Sequence, residues 1–350
     1  MERTGRRLMA AAVGFVAVVG LVATGLAPAG ASSGHAGPTT TLNLGYFPNV
    51  THAPALVGVA GGFYGTALGP NVNLKLSTFN AGPAADEALL SGSIDASYLG
   101  PNPSITGFEQ SHGAIKIVAG AASGGAFFVV KPSIKTAADL KGKAVASPQL
   151  GNTQDVALRT YLKGHGLSTT VTGGGDVSIR PMDNATIVQS FEQGLIVGAW
   201  VPEPYAQELI KAGGKVLVDE RTVWPGGQFV TTDLAVRTDY LQAHPDVIRR
   251  LLQGQVAAIN LIHTNPARAQ LLVGQAIQQA TGQTVAPALI AASFASITFT
   301  NDPVASSLRT GALHAKALGL LQSTQLQGIY SLSILNGVLR ATHQPAVSSG

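Results

Sequence analysis

Residues that could carry catalysis are few and scattered in this 350-residue chain. Its eight histidines are dispersed, and no two of them have the spacing of a metal-binding pair. Cysteine is absent, which excludes a thiolate zinc site, an iron–sulfur cluster and a cysteine nucleophile. The sequence also lacks a nucleophile elbow, a phosphate-binding loop and a glycine-rich dinucleotide motif after a strand. We therefore expect no catalytic centre, metal ion or cofactor, although an exported enzyme with a site of scattered residues stays an alternative.

Small and polar residues are concentrated in the turns that lead from predicted strands into predicted helices. These turns are Tyr46–His52, Asn80–Gly82, Gly100–Pro103, Gly151–Gln154 and Val201–Tyr205, and none contains Lys or Arg. In doubly wound sheets the ligand lies beyond the carboxyl ends of the strands, where helix N-termini converge. Free amide groups and aligned dipoles at those N-termini attract anions. The turns therefore predict a small-anion site built from main-chain amides.

Three residues of these turns have both a structural and a functional interpretation. Thr153 is either a plain N-cap of the following helix or an N-cap whose hydroxyl also faces the ligand. Asn152 is either a loop residue or a ligand donor. His52 is either a residue that starts a helix or a ligand contact. The sequence leaves each pair of alternatives open.

Two aromatic residues and one carboxylate raise similar questions. Tyr98 and Trp200 are interpreted as aromatics of a ligand cleft, with a place in the core as the alternative. Glu203 stands between two prolines. A carboxylate there would repel an anion unless it accepts a hydrogen bond from a backbone amide or meets an amine of the ligand. The sequence does not choose between these roles of Glu203.

The elements that must position these residues form two similar α/β units. Predicted strands are Thr41–Tyr46, Asn73–Phe79, Ala96–Leu99, Lys143–Ser147, Asp176–Pro181 and Gly198–Val201, and predicted helices are Ala53–Tyr64, Ala84–Ser91, Gln154–Lys163 and Ala185–Gln193. Gly92, Ile94 and Tyr98 correspond to Gly194, Ile196 and Trp200 at a constant offset of 102. This alternation predicts an α/β fold with largely parallel sheets flanked by helices.

The rest of the chain contributes a helical tail and an export signal. Helices are predicted at Asp239–Gly254, Val256–Asn265, Pro266–Thr281, Ala286–Ser296 and Asp302–Leu321, without strands of their own. Arg6 and Arg7, the apolar stretch from Leu8 to about Leu26, and the small residues before Ser32 are typical of a secretory signal peptide. An uncleaved membrane anchor is the alternative. The first seven residues contribute +2 of the net charge of +4, and the other Lys and Arg residues are dispersed, so we expect no nucleic-acid partner.

Several motifs resemble those of a known family. The segments are Gly45–Gly58, Leu140–Lys143, Leu150–Val156, Ala199–Tyr205, Trp224–Gly227, Thr231–Thr232 and His244–Asp246. In this order they resemble the solute-binding proteins of ABC importers for nitrate, sulfonate and taurine, with most similarity to the aliphatic-sulfonate binders. The resemblance runs from about Thr41 to Leu339. Many Gram-positive members are anchored through a lipid-modified cysteine after the signal peptide, and this sequence has no cysteine at that position.

The resemblance implies a two-lobed periplasmic-binding-protein fold of the second type. It divides the chain into a signal peptide at 1–31, a linker at 32–40, and a tail at 341–350. Lobe 1 combines 41–130 with 237–340, and lobe 2 with the hinge covers 131–236. The two hinge strands are expected near Phe128–Lys131 and Thr232–Val236.

The resemblance also implies a function outside the cytoplasm. The lobes would close on a small anion and deliver it to a membrane permease driven by an ATPase, with the binding protein itself expected to be a monomer. Nitrate, bicarbonate or a thiamine-precursor pyrimidine are alternatives to an aliphatic sulfonate such as taurine. The ligand-binding residues implied by the family motifs are Asn49, His52, Gly82, Gly100, Asn102, Gly125, Asn152, Thr153, Trp200, Glu203 and Thr231.

Overall fold

The computed structural model describes residues 40–350. The predicted signal peptide and linker lie outside the described residues, apart from Thr40, which begins the first strand. The strands are β1 Thr40–Tyr46, β2 Val72–Thr78, β3 Ala96–Leu99, β4 Ile115–Gly124, β5 Ala126–Val130, β6 Ala144–Ser147, β7 Ser178–Pro181, β8 Gly198–Pro202, β9 Lys215–Asp219, β10 Val230–Arg237 and β11 Ile297–Phe299. Within residues 40–350, no helix has the length and apolar character needed to cross a membrane.

Helices flank both faces of the sheets. The α-helices are α1 Ala53–Ala60, α2 Phe63–Leu68, α3 Gly82–Leu90, α4 Pro101–Gln110, α5 Thr153–Gly164, α6 Asn184–Glu192, α7 Tyr205–Lys211, α8 Thr238–Ala243, α9 Pro245–Thr264, α10 Pro266–Thr281, α11 Pro287–Phe294, α12 Ala305–Ala317 and α13 Ser333–Ala341. Short 3₁₀ turns occur at Val50–His52, Ala137–Leu140, Glu220–Val223 and Pro225–Gly227.

The two sheets repeat one strand arrangement. The first sheet has the order β11-β4-β10-β3-β1-β2, and the second has the order β7-β6-β8-β5-β9. In the first sheet β2, β1 and β3 are parallel and β10 runs against them; in the second, β7, β6 and β8 are parallel and β5 runs against them. The offset of 102 thus superimposes β3 on β8, and the α/β fold with two sheets agrees with the prediction.

The chain crosses between the sheets at two places. The first crossing is Gly124-Gly125, where β4 of the first sheet leads into β5 of the second, and both glycines have positive φ values of 84° and 74°. The second crossing lies between the end of β9 and the start of β10. The expected divisions at 130/131 and 236/237 therefore do not coincide with the sheets. The reason is that β4 leads almost directly into β5 and itself contains Gly, Ala and Ser, so composition does not mark the turn at the two glycines.

Three predicted helix boundaries were wrong. The predicted helix Asp239–Gly254 is interrupted at His244, between the end of α8 and the start of α9. The predicted helix Ala53–Tyr64 is two helices, because Gly62 has a positive φ of 73° and separates α1 from α2. The predicted break at Gly254 does not occur, and α9 continues through it. A side-chain carbon on Gly254 would lie 2.6 Å from the Tyr64 ring, so the glycine lets α9 pack closely against α2. Packing, not a helix end, explains this glycine.

The helical tail also contains a strand, contrary to the prediction. Strand β11 has three residues and pairs antiparallel with β4 at the edge of the first sheet. The long helices α9 and α10 contribute Leu251, Leu252 and Leu272 to a core that also includes Leu42 and Leu44 of β1. The tail is therefore built onto the first sheet, and it supports the strands whose ends carry the candidate site.

Candidate ligand-binding site

A cavity, called here the central cavity, lies where the parallel strands of both sheets end. Its free volume, open solvent included, is about 350 Å³. The residues that line it are Phe47, Asn49, Thr51, His52, Asn80, Ala81, Gly82, Gly100, Pro103, Pro148, Asn152, Thr153, Gln154, Asn184, Pro202 and Thr231. They follow or end β1, β2 and β3 of the first sheet and β6, β7 and β8 of the second, with Thr231 added by β10.

Helix N-termini from both sheets surround the central cavity. Helices α3, α5 and α6 begin at Gly82, Thr153 and Asn184, and the N-cap of α4 is Gly100. The amides of a first helical turn have no acceptor within the helix, and the helix dipole favours negative charge beside them. None of the sixteen lining residues is Asp, Glu, Lys or Arg. The positive field in the cavity therefore comes from the main chain.

Seven of the eleven candidate residues come together in this cavity. They are Asn49, His52, Gly82, Gly100, Asn152, Thr153 and Thr231. Asn49 and Thr231 already use part of their hydrogen-bonding capacity within the protein. The Thr51 hydroxyl donates to Asn49 Oδ1 at 2.8 Å, and the Thr231 hydroxyl donates to the Gly124 carbonyl at 2.6 Å. These two bonds hold the cavity wall in place.

His52 presents a neutral imidazole to the cavity. Its Nδ1 accepts a hydrogen bond from the Phe47 amide at 3.3 Å, and its ring stacks on the Phe47 ring with centroids 4.3 Å apart. Burial lowers the pKa of His52 to about 3. A neutral ring that accepts at Nδ1 carries its proton on Nε2. The remaining nitrogen of His52 is therefore a hydrogen-bond donor without charge.

At the start of α5, one residue caps the helix and the next has a hydroxyl without a hydrogen-bond partner in residues 40–350. Asn152 is the N-cap, because its Oδ1 accepts the amide of Asp155 at 2.8 Å. Thr153 is the first residue of the helix, so both interpretations of Thr153 as an N-cap are wrong in that respect. Its Oγ1 is buried and has no hydrogen-bond partner among the described residues. A buried hydroxyl without a partner costs free energy unless a ligand or water completes it.

A buried ion pair fixes the turn before α5. Asp155 accepts hydrogen bonds from the Ser147 hydroxyl at 2.8 Å and from the Gly151 amide at 3.0 Å. Arg159 Nε donates to the same carboxylate at 2.8 Å, one helical turn later. Both charged side chains are at most 2% exposed. The pair neutralises the charges next to the cavity and holds Asn152 and Thr153 at its rim.

Asn102 and Gly125 do not line the central cavity, because each is held by contacts elsewhere. Asn102 follows Pro101 at the start of α4, and its Nδ2 donates to the Gly311 carbonyl of α12 at 3.2 Å, away from the cavity. Gly125 belongs to the crossing between the sheets. A side-chain carbon there would lie 2.4 Å from Ile297 and 3.1 Å from Thr51. Close packing and a positive φ thus account for this glycine.

Glu203 is buried beside the cavity and does not line it. Its carboxylate accepts the Gln207 amide at 3.2 Å, the Gln207 side chain at 2.8 Å, and the Ser293 hydroxyl of α11 at 3.1 Å. Burial raises the pKa of Glu203, and these hydrogen bonds act against that rise. Its carbonyl also accepts the Val50 amide at 2.9 Å, which joins the second sheet to the first. Of the two roles considered for the Glu203 carboxylate, the structure shows the hydrogen bond from a backbone amide, that of Gln207.

Trp200 also lies outside the central cavity, in the core of the second sheet. Its indole N–H donates to Glu220 at 2.7 Å, and its ring stacks on Phe128 with centroids 5.5 Å apart. Tyr98, its counterpart in the first unit, is fully buried, and its hydroxyl pairs with Tyr64 and Gln255 at 2.6 Å each. Both aromatics therefore have the core position that the sequence left as the alternative.

Nine lining residues were absent from the candidates. They are Phe47, Thr51, Asn80, Ala81, Pro103, Pro148, Gln154, Asn184 and Pro202. The internal repeat contained a signal for four of them. At the offset of 102, Thr153 corresponds to Thr51, His52 to Gln154, Gly82 to Asn184, and Gly100 to Pro202. Applying the repeat to every candidate would have identified both walls of the cavity.

The chain is similar in sequence to a protein family and to individual binding proteins. The model of the NMT1-like family matches residues 35–276. The taurine-binding periplasmic protein of Escherichia coli K12 is 28% identical over 214 residues, which is 61% of this chain; the chain thus spans 64% of that relative's length. A putative binding protein of Brucella abortus 2308 is 27% identical over 229 residues, covering 61% of this chain and 69% of that protein.

Two solved structures share the fold. The alkanesulfonate-binding protein SsuA from Xanthomonas axonopodis pv. citri, bound to MOPS, has a TM-score of 0.68 at 19% identity, covering 82% of this chain and 96% of that chain. The periplasmic nitrate-binding protein NrtA from Synechocystis PCC 6803 has a TM-score of 0.70 at 16% identity, covering 88% and 90%. The chain therefore belongs to the NMT1-like family, and it has the fold of the periplasmic binding proteins.

Proposed function

We propose that this protein is the extracytoplasmic solute-binding component of an ABC importer. It captures a small organic anion in the central cavity and delivers it to a membrane permease. The observation that carries the proposal is a cavity ringed by the N-termini of helices from two sheets and lined by sixteen residues without a formal charge. Such a site attracts an anion without binding it to a buried cationic side chain, so the ligand stays exchangeable.

The ligand we propose is an aliphatic sulfonate, such as taurine or an alkanesulfonate. Two neutral donors support an oxyanion with several acceptor oxygens: the Thr153 hydroxyl, which has no partner among the described residues, and the Nε2–H of His52. First-turn amides of α3, α5 and α6 supply further donors. The similarity to a taurine-binding periplasmic protein points in the same direction.

The magnitudes are sufficient for a transport protein. A helix dipole contributes ~0.3–1 kcal/mol to binding an anion, and a hydrogen bond to a charged group contributes ~1.5–3 kcal/mol. Four or five such contacts reach the ~8 kcal/mol of a micromolar site before the costs of ordering are subtracted. No catalytic step is required for this function, and we propose none.

The proposal includes two lobes, one on each sheet, with the ligand between them. We place their boundaries at the Gly124-Gly125 crossing and between β9 and β10, in line with the sheets. The protein would act as a monomer on the outer side of the cell membrane, after export through its N-terminal segment. Its site would combine the seven candidate residues of the central cavity with Thr51, Gln154 and Asn184.

Thermal-shift and calorimetric screening of the purified protein tests this function. The compounds are taurine, ethanesulfonate, nitrate, bicarbonate and an aminopyrimidine, with ethanesulfonamide as a neutral control close in shape to ethanesulfonate. A ligand at ~100 times its Kd should add about 2.7 kcal/mol to the free energy of unfolding. We expect saturable stabilisation by at least one sulfonate and none by the sulfonamide.

Other outcomes of the screen are equally informative. A clear shift with nitrate or bicarbonate alone would keep the transport function and replace the ligand. A shift with the neutral pyrimidine and with no anion would contradict the anion site. Turnover of any of these compounds by the purified protein would contradict the binding-protein function itself.

A further inference from the structure

A second cavity lies farther along α5, beside the C-terminal half of that helix. Its free volume, open solvent included, is about 680 Å³. Helix α5, strand β8, the turn after β9 and helix α12 each contribute to its walls. Six of its lining residues, which we call the aromatic cage, are Tyr161, His165, Trp200, Glu220, Trp224 and His314.

The rings of the aromatic cage form walls and do not stack on one another. The Tyr161 and Trp200 rings are 5.8 Å apart and inclined by 59°, and the Trp224 and His314 rings are 5.7 Å apart and inclined by 48°. Rings at these distances touch each other, and the half-buried Tyr161, Trp224 and His314 present the rest of their surfaces to the cavity. The negative face of an aromatic ring attracts a cation within about 6 Å of its centroid.

One carboxylate lies in the wall of the cage. Glu220 is 1% exposed, and each of its two oxygens accepts one indole N–H, from Trp200 at 2.7 Å and from Trp224 at 3.2 Å. An ionised carboxylate can accept about four hydrogen bonds, so two bonds leave capacity for a further donor. The indole groups fix the position of Glu220 without neutralising it.

No cationic side chain balances Glu220 in this part of the structure. None of the lining residues of the cage is Lys or Arg. The adjacent Arg221 pairs with Asp219 at 2.6 Å, and burial lowers the pKa of His314, which favours its neutral form. A buried carboxylate without a counter-charge is costly unless it is protonated or meets a cation. The cage thus combines a buried carboxyl group, whose ionised form a cation would stabilise, with several aromatic rings.

We propose that the aromatic cage binds an organic ammonium cation, with Glu220 as its counter-ion. The cage shares no lining residue with the central cavity. A smaller cavity that touches Thr153 on one side and Glu220 on the other lies between them. The cage is therefore a site of its own, and its occupation does not require the proposed anion ligand.

Tryptophan fluorescence gives a selective test, because the only two tryptophans of the chain are Trp200 and Trp224. The purified protein is titrated with tetramethylammonium chloride, with sodium chloride as the ionic-strength control and tert-butanol as the neutral analogue of similar shape. We expect a saturable change with tetramethylammonium and none with either control. Two results would overturn the proposal. One is an equal response to tetramethylammonium and tert-butanol, and the other is no saturable response to tetramethylammonium at a concentration 100 times a Kd of about 1 mM.

Matched variants identify the residue responsible. Glu220→Gln keeps the shape and an acceptor for one indole N–H, and it should weaken tetramethylammonium binding at least tenfold. Asp219→Asn removes the neighbouring, partly exposed carboxylate and should change the Kd less than twofold. Trp224→Leu, measured by calorimetry, should weaken binding at least fivefold and serves as the second test if Glu220→Gln does not fold. Equal losses in Glu220→Gln and Asp219→Asn would assign the effect to general charge and overturn the proposal.

Discussion

The contact between Gly100 and Thr153 provides a sharp test of the central cavity. Gly100 is the N-cap of α4 on the first sheet, and Thr153 begins α5 on the second. The backbone of Gly100 has φ −76° and ψ 160°, an extended conformation that alanine adopts without strain. An added side-chain carbon, however, would lie 2.3 Å from Thr153 Oγ1 and 3.4 Å from Thr153 Cβ. Gly100→Ala therefore perturbs the contact between the two walls and spares the local backbone.

The size of the effect follows from these distances. Ordinary carbon–oxygen contact needs roughly 3.5 Å, so the Thr153 hydroxyl or the whole wall must move by about 1 Å. A shift of this size breaks a hydrogen bond of normal length. Loss of one hydrogen bond to a charged ligand costs ~1.5–3 kcal/mol, which is roughly a 10- to 150-fold rise in Kd. The free energy of unfolding should fall by no more than ~1–3 kcal/mol, the usual cost of an overpacked contact, because the extended backbone of Gly100 accepts alanine.

The assay is a double-mutant cycle in which isothermal titration calorimetry measures the Kd of each protein for ethanesulfonate. The four proteins are the wild type, Gly100→Ala, Thr153→Ala and the double variant. Without Oγ1 the clash disappears, so Gly100→Ala should cost less than about threefold in the Thr153→Ala background. Wild-type affinity in Gly100→Ala, or the same loss in both backgrounds, would refute the reasoning.

Three other changes test neighbouring parts of the structure. Thr153→Val should raise the Kd for ethanesulfonate about tenfold or more by calorimetry, while the free energy of unfolding in urea changes by less than ~1 kcal/mol, since the hydroxyl has no protein partner. Arg159→Met leaves the buried Asp155 carboxylate unpaired and should lower the free energy of unfolding by ~3–5 kcal/mol in urea titrations. Burial raises the pKa of Asp86 and of Glu220 to about 7, so between pH 5 and pH 7 the folded protein holds protons that the unfolded chain has released. Urea titrations should therefore show the free energy of unfolding falling from pH 5 to pH 8. The fall should be shallower in Glu220→Gln.

Local signals in the sequence were enough for most elements near the site. Helix α10 begins at Pro266, directly after its N-cap Asn265, and ends before Gly282, as predicted, because capping and proline geometry act over only a few residues. Strand β11 was missed, since three residues with no periodic pattern form a strand only through pairing with β4, far away in the sequence. Gly254 was misinterpreted for a similar reason. Its role depends on Tyr64, almost 200 residues earlier.

The candidate site shows the same division between local and non-local information. Composition of the turns located the strand ends, because parallel strands of one sheet end at the same edge. It did not reveal the direction of each side chain. Asn102 belongs to a correctly chosen turn, yet its side chain contacts α12, and Trp200 faces the core of the second sheet. Only the packing of distant elements decides which side of a turn faces the cavity.

One contact across the cavity limits the affinity that main-chain amides can provide. The Asn184 amide at the start of α6 donates to Asn80 Oδ1 at 3.2 Å, so a side chain of the first sheet already satisfies this donor of the second. An anion that displaced Asn80 would gain only the difference between a charged and a neutral acceptor. The amides of Thr153 and Gly82, at helix starts without an intrahelical acceptor, offer the full bond. We therefore expect α3 and α5 to contribute more to anion binding than α6, with the contact between Asn80 and Asn184 serving to join the two walls.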